Sequence, residues 1–264
     1  MADCWEGTSE RELAAHWHLP EVRLYSVLGS TSDLARRLAV EGAPAGTLVL
    51  ADEQRAGRGR GAHSWSSPPG VGLWCSFIFR GTHPDEVGRL PIRIALAAAR
   101  ALDPWTDGAV KVKWPNDLFL GVHKFGGILC EASWEGPRLD HVIVGIGLNL
   151  LQAEDEFPEP LRPLATSIRV FTGRSVSRFD VATAVISALR PFATGAHPLG
   201  PDRIVENFAS RDYLNGRYVE ILEPESGRSL AAGYANGIHA DGALRVESPE
   251  GLVMVRSGTV RIGG

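Results

Sequence analysis

The sequence predicts an α+β fold: a mixed, largely antiparallel sheet covered by helices, with a small all-β unit after it. Three observations lead there. The runs AVKVKWPNDLFL, KFGGILCEASW and RLDHVIVGIGLNL follow one another through residues 109–150, joined by tight turns, and successive strands of this kind favour antiparallel neighbours. Helical patterns stand before and after that block rather than between its strands. After Asn215-Gly216 the texture changes to short apolar runs separated by Gly, Asp and Pro, which reads as a small barrel.

Taken in order, TSERELAAHWHLP forms a short helix capped by Thr8 or Ser9 and ended by Pro20. His16 and His18 flank Trp17 there, but residues two apart do not share a helix face, which argues against a metal pair. EVRLYSVLG reads as a strand. In STSDLARRLAVEG a hydroxyl-rich cap leads into a helix with Leu34 and Leu38 on one side. GTLVLA and GLWCSFIFR are strands, and RLPIRIALAAARALD is a buried helix. Beyond the strand block, RFDVATAVISALRPFA and PDRIVENFASRDYL fit helices. RYVEILEP, SLAAGYANGI, ALRVESP and LVMVRSG then supply the strands of the tail.

With 264 residues the chain has room for one large domain, or a large one with a small one attached. Its 27 Lys and Arg against 31 Asp and Glu give a net charge of -4, unlike a protein that coats nucleic acid. The positive charge is local, at Arg55, Arg58 and Arg60 and again at Lys111, Lys113 and Lys124, which suits a small anionic ligand. Three cysteines without Cys-x-x-Cys spacing indicate no disulfide framework. A charged N-terminus without an apolar stretch, and no apolar run of about 18 residues, predict a cytoplasmic protein that does not span a membrane.

The stretch ADEQRAGRGRGAHSW, residues 51–65, is the first candidate site. Gly57 to Ala62 satisfies G-x-G-x-x-[GA], yet HSWSSPPG follows, and two consecutive prolines cannot open the helix that a dinucleotide fingerprint requires. No Walker sequence occurs. The chemistry still favours an anion, because glycines admit close backbone N–H groups and arginines supply paired donors; a solvated surface loop is the other reading of this stretch taken alone. KVKWPNDLFLGVHKFGGILCE adds Lys113, Asn116, Asp117 and Lys124 around turns, with Gly126 and Gly127 behind them. Gly145, Gly147 and Asn149 then end the next strand, and a glycine-bearing strand marks backbone pressed against a ligand.

Together STSDLA, ADEQRAGRGRGAHSW, VKWPNDLFLGVHKFGGILCE, GIGLNL and LATSI resemble the biotin protein ligases, which are also called biotin–[acetyl-CoA-carboxylase] ligases. GYANGIHADGALRV with VRSGTVRI resembles that family's SH3-like unit. The resemblance implies a class II synthetase-like catalytic domain over 1–214 and an SH3-like β-barrel over 215–264. It also implies a two-step reaction: ATP and biotin, with Mg²⁺, give biotinyl-5′-AMP, and a lysine of a biotin carboxyl carrier protein then takes the biotinyl group.

Position by position, the resemblance puts Ser30, Thr31, Ser32 and Gln54 at the polar head of biotin, with the backbone of Gly57, Arg58, Gly59 and Arg60 beside them. Arg58 and Arg60 would meet carboxylate and phosphate, and Lys124 would sit between the two. Lys113, Asn116 and Asp117 would line the nucleotide side, with Asn149 reaching the adenine. Trp65 would close over the intermediate, and Gly126, Gly127, Gly145 and Gly147 would form the pocket wall.

Two departures stand out. Ser32 replaces the usual Asn, and Ala62 and His63 replace a Gly-Arg pair, so the nucleotide end of the loop holds a histidine. The roughly 20 residues ahead of the pattern are too few for the DNA-binding domain of the repressor forms, so no DNA partner is expected. Monomer and homodimer both remain open. The competing readings are a lipoate or octanoate ligase of the same fold, whose R-R-x-S-G-G-G-x-V-x-H segment is lacking here, and a non-catalytic biotin or nucleotide sensor.

Overall fold

In a computed structural model of the chain, which describes residues 4–61, 63–195 and 203–263, the first strand is β1 (Val22–Leu28) and it pairs parallel with β2 (Leu48–Gln54). A parallel pair needs a crossover. Helix α2 (Thr31–Val40) supplies it, started by the Ser30 hydroxyl accepting from Asp33 N at 3.4 Å. A shorter helix, α1 (Glu10–His16), precedes them and is closed by a Ser9–Glu12 capping box.

All further pairings in this sheet are antiparallel. The strands β3 (Gly72–Phe79), β4 (Lys111–Lys113), β5 (Asp117–Leu120), β6 (His123–Glu135) and β7 (Arg138–Asn149) complete seven, in the order β1-β2-β3-β7-β6-β5-β4. The stretch expected as one strand over 109–120 is two. Trp114-Pro115-Asn116 turns the chain, so that Lys113 pairs with Asp117 across a hairpin.

β3 is buried along its whole length because both faces of the sheet are covered. On one face Leu34, Ala35 and Ala39 of α2 pack on Val49, Ile78 and Ile143. On the other lies the main core, built on α3 (Leu90–Ala101) and α6 (Arg178–Leu189), with Phe77, Phe79, Leu96, Val144 and Ile186 among its members. This alternation along β3 and β7 is the period-two pattern of a strand. It also leaves Ser76 and Gly145 on the α2 face.

The helix expected over 178–193 ends at Leu189 and continues as a 3-10 turn, Arg190–Thr194, where Pro191 removes a donor. Two short helices had no clear periodic signal: α4 (Asp103–Thr106) and α5 (Ile168–Thr172). The helix expected over 201–214 is α7 (Ile204–Ala209); Pro201 and Asp202 lie outside the described residues, as does Ala62. A second sheet follows, antiparallel throughout, of β8 (Tyr218–Leu222), β9 (Ser229–Ile238), β10 (Leu244–Ser248), β11 (Gly251–Val255) and β12 (Thr259–Ile262). Its last strand lies in TVRI, beyond the four runs read as strands. Among the described residues no helix is long and apolar enough to cross a membrane.

Candidate active site

The N-terminus of α2 meets the end of β2 and the middle of β3 in a buried hydroxyl cluster. Thr31 donates to Gln54 Oε1 through its backbone N at 2.8 Å and its hydroxyl at 3.0 Å. Ser76 Oγ lies 2.8 Å from Thr31 Oγ1 and 3.0 Å from Ser32 Oγ. Gln54 Nε2 donates to Ser67 Oγ at 2.9 Å. Gly145 is required here, since a Cβ on it would stand 2.7 Å from Ser32 Oγ. Ser30, Thr31, Ser32, Ser67 and Ser76 are all buried, so their hydrogen-bonding capacity is spent on one another or on what enters the pocket.

This cluster is one end of a cavity of about 440 Å³. Arg58, Gly59, Arg60, His63 and Trp65 of the loop bound it, as do Lys113, Asn116, Asp117, Lys124 and Gly127 of the β4–β6 region. Gly258, Thr259 and Val260 of the second sheet close it. Asn116 is held by donating from Nδ2 to Ile128 O at 2.6 Å. Trp65 lies against the sheet, where a Cβ on Gly147 would come within 2.5 Å of its Nε1 and one on Gly127 within 3.5 Å of its ring. Four of the expected residues are not part of this lining; Asn149 belongs to a second cavity, and the other three stand just outside. Ser30 is the cap of α2, Gly57 backs the Trp65 carbonyl, and Gly126 faces Leu148 on the opposite side of the sheet.

The cations are not equivalent. Arg58 is engaged by two carboxylates: its Nη2 pairs with Glu131, and its Nε lies 3.3 Å from Asp33 Oδ1. Arg36 joins the same two acids at 2.9 and 3.1 Å, which makes a closed ring of four charges. Among the described residues Arg60 has no such partner; its Nη1 donates to Gly258 O at 3.3 Å, and burial lowers its pKa while Asp117 opposes that. Lys124 Nζ is 2.6 Å from Asp117 Oδ1 and 5.3 Å from the centre of the Trp65 ring. Burial lowers the Lys113 pKa as well, with Asp117 raising it and Lys124 lowering it further. Arg60, Lys113 and Lys124 thus share one cavity-lining carboxylate, and the surplus is positive.

A second cavity, about 430 Å³, shares His63, Trp65, Lys113, Asp117 and Lys124 with the first. Phe119, Phe157 and Tyr213 give it aromatic walls, and Asn149 and Gln152 lie in its lining. Asn149 Nδ2 donates to Thr166 O at 3.1 Å, and Gln152 Nε2 donates to Asn149 Oδ1 at 3.4 Å. Ser67, Ser76, Glu131, Gln152 and the 258–260 segment were not anticipated. A lone hydroxyl in the apolar run GLWCSFIF was the one local signal, for Ser76.

The arrangement joins a hydroxyl-lined pocket, a cationic middle and an aromatic second chamber under one loop. Comparisons with known proteins agree with it. Residues 24–149 match the model of the biotin/lipoate A/B protein ligase family. The chain is 33% identical over 245 residues to the bifunctional ligase/repressor BirA of Bacillus subtilis, covering 90% of this chain and 73% of that protein. It is 31% identical over 238 residues to the biotin–[acetyl-CoA-carboxylase] ligase of Paracoccus denitrificans, covering 89% and 98%. The solved structure of the Aquifex aeolicus biotin protein ligase in complex with biotin and ATP has a TM-score of 0.78 and 26% identity, over 93% of this chain and 100% of that one. Fold, site and sequence therefore converge, and the chain belongs to the biotin/lipoate A/B protein ligase family.

Proposed function

We propose that this protein is a biotin ligase that activates biotin with ATP and passes it to a carrier lysine. The observation that carries this reading is the union of two chambers through a shared set of cations, with Lys124 at their junction. One chamber suits a neutral polar ring, and the other a planar base.

In the first step a biotin carboxylate oxygen attacks the α-phosphorus of ATP. The bond to the β-phosphate oxygen breaks, and diphosphate leaves. Thr31, Ser32 and Gln54 would hold the ring end of biotin, with Ser67 and Ser76 behind them. Lys124 and Arg60, aided by Lys113, would neutralise the charge that gathers between carboxylate and phosphate. In the second step a carrier lysine amine attacks the acyl carbonyl; AMP leaves and the ammonium proton is lost. Trp65 and the 55–65 loop would shield the mixed anhydride from water until then.

Mg²⁺ would travel with the phosphates. Among the described residues no group of three or more His, Cys, Asp or Glu side chains could hold it. Asp117 is the carboxylate in the cavity lining, which fits an ion that keeps its waters and takes few protein ligands; bound there it would neutralise phosphate charge. The partner would be a biotin carboxyl carrier protein of a biotin-dependent carboxylase, and the setting cytoplasmic. Residues 1–214 would form the catalytic domain and 215–264 an SH3-like domain.

The test is incubation of the purified protein with Mg-ATP and either biotin or lipoate, without carrier, followed by mass spectrometry. Biotinyl-AMP alone is expected. Lipoyl-AMP would overturn the substrate, and no adenylate from either acid would overturn the enzymatic reading.

A further inference from the structure

Arg178 has no place in the chemistry above, yet it is only 5% exposed, in the first turn of α6, and each part of its guanidinium is engaged. Its Nη1 lies 3.0 Å from Glu6 Oε1 and its Nη2 2.6 Å from Asp52 Oδ1. Its Nε donates to Gly72 O at 3.1 Å. Trp5 covers the group, with the ring centre 5.0 Å away. One side chain therefore joins the N-terminal turn, the end of β2 and the start of β3. Only a planar fork of several nitrogens reaches three segments that lie apart, so a lysine is no substitute here.

What lies between Asp52 and Gly72 gives this tie its meaning. Asp52 Oδ1 also accepts from Gly70 N, at 3.2 Å. Beyond that rung the chain forms a hairpin with its own ladder. Gln54 N donates to Ser67 O at 3.1 Å, Trp65 N to Gly57 O at 2.8 Å, and Gly59 N to His63 O at 2.8 Å. On the returning leg Trp74 Nε1 donates to Pro68 O at 3.1 Å, and a Cβ on Gly72 would come within 2.1 Å of the Trp74 ring. The hairpin, with Gln54 near its root and Arg60 at its tip, thus stands on the Asp52 carboxylate. At about 3.3 Å per residue the tip is up to about 20 Å from that rung, so a tilt of about 10° there moves it by about 3 Å. A misplacement of about 1 Å can already cost about a hundredfold in rate. We infer that Arg178, acting through Asp52, positions the acid-binding pocket and its lid. It touches neither reactant. It sets the angle at which Gln54 meets Thr31 and at which Arg60 enters the first cavity. This role deepens the proposed reading and rests on it for the identity of the acid; the hairpin and its root do not depend on that identity.

Two variants cut the same arginine from two sides. Asp52→Ala frees the root of the hairpin, and Glu6→Gln frees only the N-terminal turn. Hydrogen exchange without ligand is read at the amides of Gln54, Gly59 and Trp65, and the affinities for biotin and lipoate are read by calorimetry. Asp52→Ala is expected to speed exchange at those amides about tenfold or more while the amides of β7 keep their protection. It should also weaken the bound acid about fivefold or more, because a pocket that is no longer pre-organised binds less tightly. Glu6→Gln is expected to lower the melting temperature yet leave both readouts within about twofold of the wild type. Wild-type exchange in Asp52→Ala would overturn the inference, as would faster exchange with unaltered affinity. An equal loss of affinity in Glu6→Gln would overturn it too, since lost stability would then account for both. If Asp52→Ala does not fold, Arg178→Lys takes its place with the same expected outcomes. The full pattern obtained with lipoate, in a protein that does not bind biotin, would support the positioning role while sinking the biotin reading. A wild-type protein that binds neither acid would overturn both.

Discussion

Lys124 and Lys113 show two ways of placing an ammonium near an anion site. Lys124 rests on Asp117 and beside Trp65, where the carboxylate holds it until a stronger anion competes. Lys124→Ala should lower adenylate formation about a hundredfold or more, since it removes a cation at the reacting centre; near-normal diphosphate release would refute the role. Lys113 is held at a cost. Burial lowers its pKa, so the folded state favours the neutral amine more than the unfolded chain does. The fold therefore carries a penalty at neutral pH that fades as pH rises from the lowered pKa towards 10.5. Lys113→Met should accordingly raise the melting temperature at pH 7 while weakening nucleotide binding, as for other strained functional residues. A lower melting temperature would show that Asp117 more than repays the burial. At this scale the sequence was informative about residue type and silent about partners. The GRGR stretch announced anion chemistry, but nothing local marked Arg58 as bound to Glu131, 73 residues away.

Among the elements, the 55–65 loop is tied to the rim by that ring of Arg58, Asp33, Arg36 and Glu131. All four side chains are partly exposed, and such pairs contribute little to global stability. Their loss should therefore loosen the loop without unfolding the protein. Glu131→Gln is expected to speed tryptic cleavage within residues 55–65 by several-fold, about what a lost local restraint allows. Biotin with ATP should slow that cleavage in both proteins. Unchanged cleavage in the variant would mean that the ring does not restrain the loop.

A second element-scale effect lies between α7 and β8. Burial raises the Asp212 pKa to about 6, against backbone hydrogen bonds from Leu214 and Asn215 and attraction to Lys111. A carboxyl with a raised folded pKa adds stability below its unfolded value of 3.8 and loses it as pH rises through about 6. Asp212→Asn keeps the turn and removes the charge. It should stabilise the protein by about 1–3 kcal/mol at pH 7, with the gain disappearing near pH 4; denaturant unfolding at both pH values measures this. The strands were legible because period-two burial is written into the chain. α5 was not, being five residues long and started by a Ser167 cap that carries no periodic signal.

For the whole molecule, the join between the two sheets decides what each can do alone. Trp114 Nε1 donates to Gly242 O at 2.9 Å, and Arg89 Nη1 to Ala240 O at 3.1 Å. Gly258 to Val260 complete the first cavity. The sequence showed the change of texture at 215 but not that the tail walls the site, because contacts over more than 100 residues leave no local trace. A chain cut at residue 214 is expected to form no detectable adenylate and to unfold less cooperatively than the intact protein. Full diphosphate release by the truncated chain would show that the second sheet is dispensable for the first step.

The packing of Trp65 on Gly147 and Gly127, with an ammonium at 5.3 Å, has an optical consequence. An indole's emission energy follows the electric field across its ring, and here that field is set by Lys124 and whatever Lys124 faces. The chain has seven tryptophans, but Trp65 is the one bordering both chambers. Neutralising its neighbouring charge, or filling the space beside it, should change its colour and lifetime while leaving distant indoles such as Trp5 and Trp17 as they were. The protein thus carries a built-in dye at its reaction centre, and each stage of its cycle can be followed by light with no label attached.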